Sequence, residues 1–259
     1  TSATTTINSE YTSEDRMFTL TNGKSYNSDG RITLQGNFTS YIQWDTTAGD
    51  NGPHNLRIND ASLTAKQRTD LTVEGYLKVD AGTFTTLYGA STSQDLTVTG
   101  DIDITGTLTG NASAISAGGL RVNSGGLYTA TSGVTSITGE LSSHAFRISG
   151  GGTLANSNGT ITFLNVNSRL TMNGTGNIHH LILNHASCFI MLQSDGTTTV
   201  EGNLTITAGQ LTTLAEGTST SKNLTVTGDA SITGTLTGNA SAISMGSLEI
   251  ASGGTYSAT

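Results

Sequence analysis

Cysteine and proline occur once each, as Cys188 and Pro53. A single cysteine excludes an intrachain disulfide, and a thiol-poor chain suits an extracellular or virion setting. Charged residues make up 12% of the chain, about half the usual share. Disordered chains are ordinarily rich in charge or proline, so this composition points to folded structure. Lys and Arg number only 11 against 19 acidic residues, for a net charge of −8. They are scattered, whereas phosphate binding needs them clustered, which argues against nucleic acid as a partner. No run of about 18 apolar residues exists, so no membrane insertion is expected. The opening "TSATTTINSE" shows no signal peptide and reads as mid-domain sequence.

What the chain has is glycine, 33 of them, with abundant Thr, Ser and Asn. It also repeats itself, and repeats of fixed period decide architecture before anything else does. "LTVTGDIDITGTLTGNASAIS" at 96–116 returns as "LTVTGDASITGTLTGNASAIS" at 224–244, differing only at Ile102/Ala230 and Asp103/Ser231. Looser matches extend both ways: 120–131 with 248–259, 73–87 with 200–214, 56–62 with 181–187, 28–34 with 157–163, and 1–10 with 131–140. The chain therefore divides into two units, 1–130 and 131–259, beginning and ending at one phase of the repeat. Terminal caps of the kind repeat arrays use are not evident. The expectation is a continuous rod belonging to a longer tandem array or a head-to-tail filament.

Within the unit an L-x-V/I-like triplet recurs at 56, 77, 96, 120, 181, 204, 224 and 248. In a strand, residues two apart share a face, so the Leu and Val of "LTV" point inward and the Thr outward. One such strand cannot bury that face alone, but stacked coils can. Gly, Asn and Asp supply positive-φ corners, and Thr suits an outer strand face. These features predict an all-β fold, a right-handed parallel β-helix (β-solenoid) with coils of about 19–24 residues. The coil register between 120 and 181 stays open. A sandwich would not give this period; an intertwined trimeric β-prism fits the composition too.

Candidate sites can be tested against the other copy. His179, His180 and His185 are the strongest metal candidates, yet their matched positions hold His54, Asn55 and Asp60, and a solvated or turn-lining role is favoured. No metal or cofactor is expected. Cys188 matches Leu63 and reads as a small core residue. Asp101 and Asp103 form a carboxylate pair, but the second copy holds Asp229 and Ser231, which favours a turn or outer-face role over catalysis. Of the N-x-S/T sequons, only Asn111 and Asn239 coincide between copies; they are the candidate glycosylation sites, against a reading as left-handed corner residues. Phe38, Tyr41 and Trp44 cluster where the second copy has no aromatic residue, giving a candidate contact surface or packing under a loop.

At "LTVTGDASITGTLTGNASAIS" and "SGGTYSAT" the chain resembles repetitive β-helical fibre proteins, as in tail-fibre and virion appendages of environmental bacteriophages and bacterial surface adhesins or filaments. The resemblance covers nearly all of the chain through its repeats, and it carries no catalytic residues. It implies the non-enzymatic structural shaft of an extracellular fibre. Copies of the chain are then its partners, stacked in tandem or head to tail or wound as a trimer, with surface glycans as a second partner class. The alternative is a carbohydrate-binding or carbohydrate-cleaving β-helix such as a tailspike-like depolymerase, which is fold-level analogy.

Overall fold

A computed structural model describes residues 4–8, 16–20, 30–37, 39–44, 52–139, 144–215, 217 and 220–258. Every regular element in it is a strand, and all pairings between strands of the main sheet are parallel. The chain winds as a β-solenoid of three stacked ladders, visited in the same order on each turn.

The first ladder has rungs at 4–8, 31–35, 55–58, 77–79, 102–104, 120–122, 146–148, 167–172, 189–192, 210–212, 235–237 and 255–257. The second runs through 41–44, 64–67, 83–85, 107–109, 127–129 and 153–155, continuing at 198–200, 224–226 and 243–245. The third has nine rungs, from 71–73 through 96–98, 115–117, 135–137, 161–163, 181–183, 204–206 and 230–232 to 248–250, so about nine of the turns carry this third face. The registers resolve the stretch between 120 and 181. Leu120 pairs with Phe146 and Phe146 with Leu170 on the first ladder, while Leu181 belongs to the third.

The core follows from strand alternation. Ala65, Phe84, Leu108, Tyr128 and Leu154 stack inward along the second ladder, and Phe84, Leu108 and Tyr128 are 0% exposed. Each fully buried side chain of this size contributes about 1.5–3 kcal/mol, and only stacking of turns makes that burial possible. Tyr128 brings a hydroxyl into the interior, where it hydrogen-bonds Thr135 Oγ1 at 2.7 Å. Burial pushes its pKa up to about 12, against a smaller opposing effect of the Thr135 bond.

The corners explain the Asn and Gly content. The four non-glycine residues with positive φ among those described are all asparagines: Asn111, Asn158, Asn165 and Asn239. Asparagine tolerates this region better than other side chains. Gly82, at φ +75°, sits where a Cβ would lie 2.2 Å from the Asp60 carbonyl oxygen of the previous turn. Its repeat counterpart Gly209, at φ +85°, would meet the Cys188 carbonyl oxygen at 2.4 Å. Successive turns pass too closely at this corner for any side chain.

Register and repeat together reveal a rotation. Residues 102–104 lie on the first ladder, but their near-identical counterparts 230–232 lie on the third. The same displacement relates 77–79 to 204–206, 120–122 to 248–250 and 31–34 to 160–163. First-ladder positions of one copy fall on the third ladder in the other, third-ladder positions on the second, and second-ladder positions on the first. From 102 to 230 the chain makes five turns, through 120, 146, 170, 190 and 211, plus two faces of the next. One sequence unit is thus five and two-thirds turns.

The triplet spacing is therefore not the coil length. Triplets at 56, 77 and 120 lie on the first ladder, those at 96, 181, 204 and 248 on the third, and the one at 224 on the second. The interval from 96 to 120 spans one and one-third turns. Measured between partners, coils run from 18 residues (Ile102 to Leu120) to 27 (Thr4 to Arg31).

Candidate functional site

The sequence candidates are distributed around the solenoid. His179 and His180 are adjacent, with ring centroids 4.3 Å apart in an edge-to-face arrangement. His180 Nδ1 accepts the backbone N–H of Asn203 at 2.9 Å, and burial together with the neighbouring His179 lowers its pKa. His185 lies on the following corner, where its Nδ1 accepts the N–H of Ser187 at 3.2 Å. Among the described residues no group of three His, Cys, Asp or Glu side chains converges in a way that could hold a metal ion.

Cys188 is 1% exposed, like its counterpart Leu63, and burial pushes its thiol up to about 11, partly opposed by the Val166 backbone. A thiolate is the reactive form. Cys188 is therefore expected to resist a maleimide or disulfide reagent at pH 8 until denaturant is added; labelling of the folded protein within minutes would show that this turn opens readily.

Asp101 and Asp103 lie on one strand, and Arg121 from the next turn spans both. Its Nη2 donates to Asp101 Oδ2 at 2.6 Å and its Nε to Asp103 Oδ1 at 2.7 Å. Burial alone would lower the Arg121 pKa, but the bonds and charges of Asp103 and Asp101 outweigh it and the net shift is upward. The pair is a clasp between turns.

Asn111 and Asn239 occupy equivalent corners. The Asn111 amide nitrogen donates to Thr85 Oγ1 at 2.9 Å, and Ser113 Oγ donates to Thr86 Oγ1 at 2.7 Å. The second copy repeats this: Asn239 Nδ2 to Thr212 Oγ1 at 3.0 Å, Ser241 Oγ to Thr213 Oγ1 at 2.7 Å. Thr86 and Thr213 are fully buried. A glycan on Nδ2 would compete with these bonds, and both asparagines have left-handed backbones, with φ of 51° and 46°. The sequence alone pointed to the corner but not to this network, because its members lie some 25 residues apart, one full turn.

Of the aromatic cluster, Phe38 and the Trp44 side chain lie outside the described residues. Tyr41 is buried at 8% exposure. The ring of Tyr88, from the hairpin pairing Leu87–Tyr88 with Thr92–Ser93, packs edge-on against it at 5.4 Å. Lys66 lies 5.5 Å from the Tyr41 ring and Arg68 5.0 Å from the Tyr88 ring.

The feature that stands out is one that site reasoning from sequence missed. Strand Ile115–Val122 is buried along most of its length, with Leu120 and Val122 at 0% exposure, because the turn at 146–148 covers it. The matching strand, Ile243–Ile250, is exposed at most positions, with Leu248 at 41% and Ile250 at 49%. Below, both strands sit on the preceding turn in the same register. Above, the carbonyls of Ala117 and Val122 accept N–H groups of Thr138 and Ser149, each at 2.8 Å; no turn covers 243–258 among the described residues. Within the described residues, then, the upper side of one strand is covered and that of its repeat counterpart is not. The signal lay in the repeat alignment of Leu248 with Leu120 and Ile250 with Val122.

Comparison with protein families, with curated proteins and with solved structures finds no match to this chain, so its functional reading stands on the repeat.

Proposed function

We propose that this chain is a segment of the structural shaft of an extracellular fibre or filament, on a virion or a cell surface. The observation that carries the reading is the tandem repeat: both copies wind into one stack of parallel turns, and strand pairing continues across the boundary between them. The dilute charge supports the same role, since stacked turns gain nothing from strong fields on their surface, while outward Thr and Ser keep the sides hydrated.

Cryo-electron microscopy of the purified protein tests this directly. The expected result is unbranched filaments with rungs about 4.8 Å apart. Discrete compact particles at every concentration would sink the reading. A second reading, glycan binding, is favoured by one feature: a shallow groove of about 450 Å³ edged by Phe189, Thr207, Gln210, Thr233 and Thr235. Binding of a neutral polysaccharide that Phe189→Ala abolishes would support it. Glycan cleavage gains nothing from Asp101 and Asp103, which Arg121 holds in a clasp.

A further inference from the structure

We infer that the outer face of the first ladder, from Arg57 to Arg169, is a docking stripe for a linear acidic polysaccharide, one that carries carboxylate or sulfate groups. The inference concerns the side of the rod. It is independent of the shaft reading and of the groove at Phe189.

The 11 basic residues are scattered along the sequence, but the fold gathers five of them on one face. Strand pairing sets Arg57 beside Lys78, Lys78 beside Asp103, Asp103 beside Arg121 and Arg121 beside Arg147. The neighbours of each along its strand are buried, as Leu120 and Val122 are around Arg121, so alternation turns the whole column outward. Arg169 stands on the next rung, two places before Thr171, which pairs with Arg147. From Arg57 to Arg147 the column covers four rung steps, about 19 Å along the axis. His144 lies at its upper end, with Nδ1 3.1 Å from Thr171 Oγ1. Burial, and then the charges of Arg169, Arg147 and Arg121, lower the His144 pKa, so three guanidinium groups act on one place.

Stacking does not need these charges. The repeat maps Arg57, Lys78, Asp103 and Arg121 onto Ile182, Thr205, Ser231 and Glu249. Those four pair into the same kind of column on the third ladder without one basic residue. The first column even sets Arg121 directly against Arg147, a pairing of like charges that costs stability. Part of the charge is answered within the chain: Asp80 pairs with Arg57, and Asp101 and Asp103 hold Arg121. Lys78 instead lies 5.2 Å from the Tyr76 ring. Arg147 donates to the neutral Asn123 Oδ1 at 3.1 Å, and its Nε is buried with no hydrogen-bond partner. A positive surplus thus falls at Lys78 and Arg147, on either side of the carboxylates, in a chain of net charge −8. Duplex nucleic acid, with a negative charge for about every 1.7 Å of its axis, would press phosphates against Asp101 and Asp103. A sugar chain spaces its charges by whole rings, so its anionic groups reach the cations on both sides of that gap.

Heparin, polygalacturonate, dextran and oligothymidylate, each immobilised in an interferometry assay at neutral pH, test the stripe. The expected result is binding to heparin, to polygalacturonate or to both that weakens as salt is raised, and none to dextran. Which of the two binds tells sulfate from carboxylate. Arg147→Ser with Arg169→Ser is expected to weaken that binding by roughly tenfold or more, Lys78→Ser by about threefold, and Lys222→Ser, outside the stripe, by less than about twofold. Arg147→Lys with Arg169→Lys is expected to keep most of it. An unchanged urea midpoint shows that a variant is folded, and Lys78→Ser carries the test if the arginine pair is not. Equal losses in every variant, Lys222→Ser included, or no binding to either acidic polysaccharide at low salt, overturn the stripe. Tighter binding to oligothymidylate than to both polysaccharides overturns the choice of ligand in favour of nucleic acid. None of these outcomes bears on the shaft, which microscopy decides.

Discussion

Gly82→Ala is expected to destabilise the protein by roughly 2–5 kcal/mol, and Gly89→Ala by only about 1 kcal/mol, although both glycines have left-handed backbones. Their φ values are +75° and +60°, so the conformational strain on an alanine is similar. The surroundings differ. A Cβ at Gly82 would lie 2.2 Å from the Asp60 carbonyl oxygen and 2.5 Å from that of Leu63, whereas nothing lies within 4 Å of one at Gly89, at the hairpin tip. Backbone oxygens cannot swing aside as a flexible side chain would. Relief at Gly82 requires prising two turns apart, and the Leu56–Leu77 and Ala65–Phe84 pairings on either side of that corner resist it. Gly209→Ala should match Gly82→Ala, because its clashes with Cys188 and His185 carbonyls have the same origin. Urea denaturation followed by the strand signal in circular dichroism reads all three. Equal losses at positions 82 and 89 would mean that the turns do not approach as described.

How much of this was legible beforehand depends on distance along the chain. Inward Leu and Val, outward Thr and corner Asn are local patterns, and the strands at 96–104 and 224–232 follow them residue by residue. Which ladder a triplet joins is not local. "LTV" at 96 and "LRV" at 120 look like successive coils, yet the corner between them is counted twice, because both the third and first ladders use the same inward Leu-x-Val unit. Only the registers separate a full turn from one and one-third. The same limit hid Arg121 from the reading of Asp101 and Asp103, its partners one turn below, and hid the Thr86–Ser113 bond.

Phe146→Ala carries the other large expected effect, a loss of about 3–5 kcal/mol, and its place in the fold makes the form of the loss informative. Phe146 is 0% exposed, between Leu120 below and Leu170 above. It belongs to the second sequence unit but closes the core of the first. In a stack where each turn touches only its neighbours, stability is approximately a sum of turns and interfaces. Removing a ring from one interface weakens the coupling between the parts on either side. Arg121 and Arg147, adjacent on the outer face of the same two rungs, bring like charges together there and add no attraction to replace it. Phe146→Ala is therefore expected to split one cooperative urea transition into two, with a smaller dependence on denaturant in each. A single transition merely shifted to lower urea would show that the turns are coupled beyond nearest neighbours. A shift worth less than about 1 kcal/mol would show that the core collapses around the vacancy. For a shaft the distinction matters, because a rod is held only as firmly as its weakest interface.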